Sequence, residues 1–240
     1  TTKDPNNQDL ANTLREPSKS HLFGTDALGR DVLSRVIHGS AIELQVVLPA
    51  VLISLLIALP AGMIAGYLGG WLDRIIGWVS DSILTFPAMV LAIVFVAIFG
   101  SGIPTLILAI ITTQAPQMVR YVRGFTNQVK NADYVMASRS SGSGLVTVLV
   151  KHIVPNILGP IVVIASLFAS EALLIIAALG FLGIGLQPPA PEWGTMLSEG
   201  RVDFLYAPHV MLFPGAAIAL LILGFNLLGD GLRDYLDKRN

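Results

Sequence analysis

Residues 44–68 read LQVVLPAVLISLLIALPAGMIAGYL, and no charged side chain interrupts this run. A helix that crosses the hydrocarbon core of a bilayer needs about 20 mainly apolar residues, so the run predicts a transmembrane helix. The whole chain has the same character, with 53% hydrophobic and only 13% charged residues among 240. Soluble domains are about one quarter charged. The composition therefore predicts an all-α membrane protein.

Four further apolar runs are long enough to be considered as spans. They cover residues 75–99, 103–119, 157–186 and 210–229. With 44–68 they predict a polytopic helical protein with five spans in this chain. The predicted domains are an extracytoplasmic N-terminal arm (1–40), a transmembrane domain (41–230) with a cytoplasmic loop at 124–155, and a cytoplasmic tail (231–240).

The orientation follows from the basic residues of the connecting segments, because cytoplasmic loops of membrane proteins carry an excess of Lys and Arg. One side of the predicted membrane domain carries nine of them: Arg74, Arg120, Arg123, Lys130, Arg139, Lys151, Arg233, Lys238 and Arg239. The connections on the other side carry only Arg201, although the N-terminal arm adds five basic residues there. The loop 124–155 and the C-terminus are therefore expected in the cytoplasm.

Several function classes find no support in the sequence. A chain without cysteine has no disulfide, no thiolate metal site and no cysteine nucleophile. It lacks the Gly-x4-Gly-Lys-Ser/Thr phosphate loop and the motifs of zinc proteases and serine hydrolases. The four histidines show no metal-ligand spacing, and a net charge of −1 gives no reason to expect nucleic acid. We therefore expect no enzyme, no bound metal and no cofactor in this chain.

One polar stretch, 132–156 with the sequence ADYVMASRSSGSGLVTVLVKHIVPN, lies between two apolar runs. Its pattern predicts two short helices that are separated at Gly142, where a glycine permits a sharp turn. Pro155 is expected to end the second helix before the next span. The apolar residues of that second helix fall on one broad face. Periodicity leaves open whether this face contacts lipid or a protein partner.

The same stretch resembles the EAA loop of bacterial ABC importer permeases. Ala137 is followed at the family's spacing by Gly142 and later by Pro155, while Met136 replaces the family's Glu and Ser138 its second Ala. Three further stretches resemble the C-type permease of dipeptide, oligopeptide and nickel importers. They are FGTDALGRDVLSR (23–35), FLGIGLQPP with PEWG (181–189 and 191–194), and FNLLGDGLRD (225–234).

This resemblance covers residues 21 to 239 and implies a type I ABC importer permease of the bacterial inner membrane. Because that family has six spans per subunit, it also implies a first span upstream of this chain. The implied partners are a second, homologous permease, two ATPase subunits that bind ATP and Mg, and an extracytoplasmic substrate-binding protein. The expected cargo is short peptides, with nickel chelates and other small solutes left open.

In that family the EAA loop docks on an ATPase subunit and transmits its motion to the spans. The residues that the resemblance assigns to this coupling are Tyr134, Met136, Ala137, Ser138, Arg139, Gly142, Ser143 and Pro155.

Two acidic residues lie within predicted spans, where ionisable groups are rare and often functional. Asp81 is close to a span end and favours structural pairing over a pathway role. Glu171 lies deeper, and lining of a pathway and burial as a paired carboxylate both remain open. A proton-coupled secondary transporter or channel that uses Asp81 and Glu171 is the alternative function.

The outer loop 187–206 contains three prolines, which disfavour continued helix and stiffen the exit from the span. Its charged and aromatic residues predict a docking platform for the binding protein, formed by Trp193, Glu199, Arg201 and Asp203. Trp193 alone would equally suit an aromatic anchor at the membrane interface. Gly62, Gly66 and Gly70, spaced by four residues, predict close helix packing, within the subunit or between two permeases.

Overall fold

The computed structural model describes residues 3–237, with the backbone only at Asp237. Lys238 and Arg239, which the orientation argument counts, lie outside the described residues. Within them the chain is helical, and Thr25 and Asp31 form its one isolated β-bridge. After a short 3₁₀ turn at Leu10–Asn12, the helices are α1 (Val32–Leu68), α2 (Gly70–Leu84), α3 (Ala88–Phe99), α4 (Ile103–Val129), α5 (Asp133–Ser140), α6 (Leu145–Val148), α7 (Val154–Phe181), α8 (Trp193–Gly200) and α9 (His209–Asp237). A π-helical turn, Leu149–Ile153, joins α6 to α7.

The chain divides into two compact units. The first contains the residues up to Ala50, together with Met89–Ile110 and Ala169–Gly224. The second contains Val51–Ala88, Ile111–Phe168 and the residues from Phe225 onward.

Three helices among the described residues are long and apolar enough to cross a membrane. They are Val32–Leu68, the continuous helix Leu145–Phe181 that includes α6 and the π turn, and His209–Leu236. The run 75–99 is one apolar stretch in sequence but two helices in the structure, α2 and α3, which count as a fourth candidate if they form one bent span. Pro87 lies at this break. The break occurs here because a proline disfavours the α conformation of the residue before it.

The fifth predicted span, 103–119, is part of α4, which continues to Val129 and holds Pro116 in its interior. Arg120 and Arg123 belong to the same helix. Length and composition therefore do not identify α4 as a span, and the count of five remains a prediction.

The motif FGTDALGRDVLSR forms a tight turn that starts α1. The Asp31 carboxylate accepts a hydrogen bond from the Ser34 amide at 2.9 Å, as an N-capping side chain does. The Asp26 carboxylate accepts hydrogen bonds from the amides of Leu28 and Arg30, both at 2.9 Å. Helix α1 consequently begins at Val32, well before the apolar run at 44–68.

The first unit also holds aromatic and histidine packing that links this turn to α9. The rings of Phe23 and Phe213 stack with centroids 3.8 Å apart. His209 is buried, with Nε2 lying 3.1 Å from the Thr25 carbonyl.

Two glycines of the predicted stripe pack inside the second unit. A Cβ at Gly62 would lie 2.7 Å from Cβ of Val122, and one at Gly66 would lie 2.7 Å from the Arg123 carbonyl oxygen. No atom of the described residues lies within 4 Å of the corresponding position at Gly70. The stripe therefore serves packing within the subunit at two of its three positions.

Candidate coupling segment and outer-face helix

Helices α5 and α6 with the π turn form the coupling segment, which we define as residues 133–153. The predicted break lies at Gly142, whose φ of 81° is in the left-handed region that favours glycine. The Gly142 amide donates a hydrogen bond to the Arg139 carbonyl at 2.9 Å, and the Ser143 amide donates to the Ser138 carbonyl at 3.2 Å. The expected arrangement of two helices with a glycine turn is confirmed.

One side of the coupling segment is packed within the second unit. Val135, Val148, Leu149 and Ile153 are all buried. The Arg139 guanidinium lies 5.6 Å from the ring centroid of Tyr67, near the end of α1, in a cation–π contact. Buried apolar residues on both short helices therefore pack the segment into this unit.

The other side is apolar and exposed. Tyr134, Met136, Leu145 and Val150 are between 39% and 56% exposed, and Val146 is 73% exposed. Ala137, Gly142 and the polar Arg139 are exposed or half-buried beside them, as are Ser138 and Ser143. The predicted coupling residues therefore lie along one stretch of chain. The apolar side chains on its exposed side are not covered by any described residue of this subunit.

Pro155 does not end the second helix, contrary to the sequence prediction. The π turn precedes it, and the Val154 amide donates to the Leu149 carbonyl five residues earlier. Because proline has no amide hydrogen and its ring crowds the preceding turn, wider winding relieves the clash that an α-helix would impose. The Asn156 side-chain amide then donates to the His152 carbonyl at 2.7 Å. The coupling segment thus continues without interruption into α7.

Asp81 lies on α2 and pairs with Arg120 of α4. The Arg120 Nε donates to Asp81 Oδ1 at 3.1 Å, and Nη2 contacts the same oxygen. Both side chains are exposed. This ion pair agrees with the structural pairing that the sequence favoured.

Glu171 lies on α7 and is half-buried. Its neighbours Ala172 and Leu173 are buried, and no hydrogen bond or ion pair joins Glu171 to another described residue. Within the described part of this subunit, Glu171 is therefore not a paired structural carboxylate. Its role in a transport pathway remains a prediction.

Trp193, the first residue of α8, is only 3% exposed. Its indole Nε1 donates to the Val36 carbonyl at 2.9 Å. A buried ring offers no face to a binding protein or to the membrane interface, so neither expectation for Trp193 fits the structure. The sequence could not show this, because the burial depends on α1 residues more than 150 positions away.

Glu199 is part of a buried ionic cluster. Its carboxylate accepts from Arg30 Nη2 at 2.7 Å and lies 3.4 Å from Arg35 Nη2. Asp26 completes the cluster, accepting from Arg30 Nε at 2.5 Å. Two arginines and two carboxylates balance in charge, so the half-buried Glu199 is already engaged by arginines and is a weak candidate for docking.

Residues 201–206 follow α8 and are the exposed part of the predicted platform. The Arg201 guanidinium lies 5.6 Å from the Phe181 ring, and Asp203 is half-buried. Val202, Leu205 and Tyr206 are each at least 80% exposed. Sequence reasoning selected the charges of this segment and missed these apolar side chains.

Comparison with known proteins agrees with the geometry. Residues 58–240 match the family model described as "Binding-protein-dependent transport system inner membrane component". The glutathione transport system permease protein GsiD of Shigella flexneri serotype 5b (strain 8401) is 46% identical over 231 residues, which cover 96% of this chain and 76% of that protein. GsiD of Escherichia coli O157:H7 is 44% identical over the same length.

A solved structure is also similar. The MetNI methionine ABC transporter, in an inward-facing conformation, has a chain that superposes with a TM-score of 0.71 at 16% identity. The match covers 85% of this chain and 97% of that one. At this identity the likeness shows a shared fold.

Proposed function

Because the chain belongs to the family of inner membrane components of binding-protein-dependent transport systems, we propose that it forms half of an ATP-driven import pathway. A second permease would form the other half. Two ATPase subunits would bind ATP and Mg on the cytoplasmic side, and a binding protein would deliver cargo from outside. The chain itself is a permease of the ABC importer type, and its relatives are permeases.

The exposed apolar face of the coupling segment is the observation that supports coupling to an ATPase. Apolar side chains that stand free on a rigid, well-packed support are typical of protein interaction sites. Tyr134 and Met136 on α5 and Val146 on α6 supply such side chains, while Val135 and Val148 hold them from beneath. A displacement of this face would be transmitted directly to α7, because the π turn joins α6 to α7 without a loop.

The cargo we propose is a short peptide of the size of glutathione. The two permeases named above, at 46% and 44% identity, belong to glutathione transport systems. Nickel chelates, which the wider family also carries, are the alternative cargo. A proton-coupled porter has less support, because Asp81 is exposed and paired with Arg120.

The outer platform we propose is residues 201–206 rather than the four residues selected from the sequence. Arg201 and Asp203 supply charge, and Val202 and Tyr206 supply exposed apolar surface. We propose that this platform faces outward and that the coupling segment and the C-terminus lie in the cytoplasm, as the distribution of basic residues predicts.

The two surfaces can be tested with one matched pair of variants. Val146 and Val202 are the same residue type, are 73% and 80% exposed, and belong to different units. A photoreactive amino acid is introduced at either position, the chain is assembled with its own transport partners in membranes, and crosslinked products are identified by mass spectrometry. We expect position 146 to capture an ATPase subunit and position 202 to capture the binding protein.

The proposal is contradicted if position 146 captures no ATPase in an assembled complex, or if it captures the binding protein. Uptake of labelled glutathione by the same membranes tests the cargo separately. Uptake of another cargo with the expected crosslinks would reject glutathione and leave the coupling role in place.

A further inference from the structure

Helix α8 is seated on a buried surface within the first unit. Trp193, Gly194, Thr195, Met196 and Gly200 are buried. Glycines make this close approach possible. A Cβ at Gly194 would overlap the Ala177 carbonyl of α7, and one at Gly180 would overlap the Glu192 carboxyl.

The Glu192 carboxyl caps the N-terminus of α8. Its Oε1 accepts from the Gly194 amide at 2.6 Å, and its Oε2 accepts from the Thr195 amide and hydroxyl, both at 2.7 Å. Three donors and the positive end of a helix favour the ionised form. Burial acts in the opposite direction and raises the pKa of the Glu192 carboxyl. Glu192 is 0% exposed, so solvent contributes nothing to its stabilisation.

The Glu43 carboxyl of α1 also contacts the N-terminus of α8. Glu43, like Glu192, is 0% exposed. Its Oε1 accepts from the Trp193 amide at 3.1 Å, but its Oε2 has no donor in the described part of the chain. The Glu192 carboxyl lies beside it, because the two consecutive amides of Trp193 and Gly194 donate to Glu43 and to Glu192 respectively.

Among the described residues, no positive charge compensates this pair. The groups that donate to the two carboxyls are the amides of Trp193, Gly194 and Thr195 and the Thr195 hydroxyl, and all of them are neutral. Two buried carboxylates in contact repel each other and lose hydration, and such pairs share a proton instead. A single proton on Glu43 Oε2 turns this unpartnered oxygen into a donor, and the Glu192 carboxylate can accept its hydrogen bond.

We infer that Glu43 and Glu192 form a proton-binding site in which Glu43, as the neutral acid, donates a hydrogen bond to the Glu192 carboxylate and so holds α8 on α1. The bound proton is a structural ligand. It completes the hydrogen bonding of both carboxyls and orients the loop that leads into residues 201–206. Glu43 is a positioning residue in this account, since it acts through α8.

This site makes the stability of the first unit depend on pH. The folded chain holds a proton that a glutamate of the unfolded chain releases near pH 4.3. Stability therefore falls as pH rises above that value, by up to about tenfold in the folding equilibrium constant per pH unit, until the folded site itself loses the proton.

Infrared difference spectroscopy between neutral and alkaline pH tests the inference on the assembled complex. We expect the wild-type chain to show the C=O band of a protonated carboxylic acid at neutral pH. Glu43→Gln should lose this band while it keeps normal yield and thermal stability, because a Gln amide donates to Glu192 and its oxygen accepts from Trp193. Its stability should also fall less steeply with rising pH.

Two further variants make the outcome decisive. Glu43→Ala should lower stability, since it leaves the Trp193 amide without an acceptor. Glu199→Gln is the control, because Glu199 is paired with Arg30 and lies outside the Glu43–Glu192 pair, so the band should remain. Absence of the band in the wild-type chain overturns the inference. So does its persistence in Glu43→Gln, or a loss of stability in Glu43→Gln equal to that in Glu43→Ala.

Discussion

The turn at Gly142 sets the angle between α5 and α6, and two neighbouring glycines allow its role to be isolated. Gly142 has a φ of 81°, whereas Gly144 has a φ of −67°. A Cβ added at either glycine would have no atom of the described residues within 4 Å, so both positions have open space at Cβ. Gly142→Val and Gly144→Val therefore differ first in backbone conformation.

The expected cost at position 142 follows from the left-handed conformation. An L residue loses roughly 1–2 kcal/mol there, within the roughly 1–3 kcal/mol typical of such strain, and we place a β-branched side chain at about 2 kcal/mol. At position 144 the extended backbone suits valine, and the cost is small. About 2 kcal/mol reduces the population of the native turn roughly 30-fold relative to its alternatives.

The assay is transport and ATP hydrolysis by the reconstituted complex. We expect Gly142→Val to reduce uptake strongly, with ATP hydrolysis no longer stimulated by cargo, while membrane insertion is unchanged. Gly144→Val should transport like the wild type. If the two variants transport equally well, the left-handed turn has no part in coupling.

Two further predictions concern packing within each unit. Asp26→Asn should destabilise the first unit by about 3–5 kcal/mol, since it leaves two buried arginines with Glu199 as the one remaining carboxylate of the cluster. Asp203→Asn, at a half-buried residue outside that cluster, should cost much less, and thermal unfolding in detergent compares the two. Gly66→Ala should lower the thermal stability of the second unit, because its Cβ would lie 2.7 Å from a backbone carbonyl. Gly77→Ala, whose Cβ would lie 3.8 Å from the nearest atom, should not. Equal midpoints of thermal unfolding for the two variants would refute the packing argument.

Features encoded in neighbouring residues were predictable from the sequence. The apolar runs predicted membrane helices, and Gly142 predicted the turn in the coupling segment. Pro155 misled the prediction because the rule that proline ends a helix assumes α winding. The π turn that accommodates it has no clear sequence signal.

Features that depend on distant contacts were not predictable. Glu192 and Glu199 look alike in sequence as surface charges of a polar loop. The structure places one on the N-terminus of α8 against Glu43 and the other beside Arg30. Trp193 likewise becomes an interior residue only because α1 presents the Val36 carbonyl to its indole.

These buried positions change which residues remain for partners on the proposed outer platform. Once Glu192, Trp193 and Glu199 are engaged inside the first unit, their substitution would disturb the seat of α8 and would not report on docking alone. Val202 and Tyr206 lie beyond this seat and are at least 80% exposed, so they can be changed without breaking it. A loss of binding-protein stimulation on substitution at these two positions would therefore identify a contact, whereas the same loss at Glu199 would not distinguish contact from misfolding.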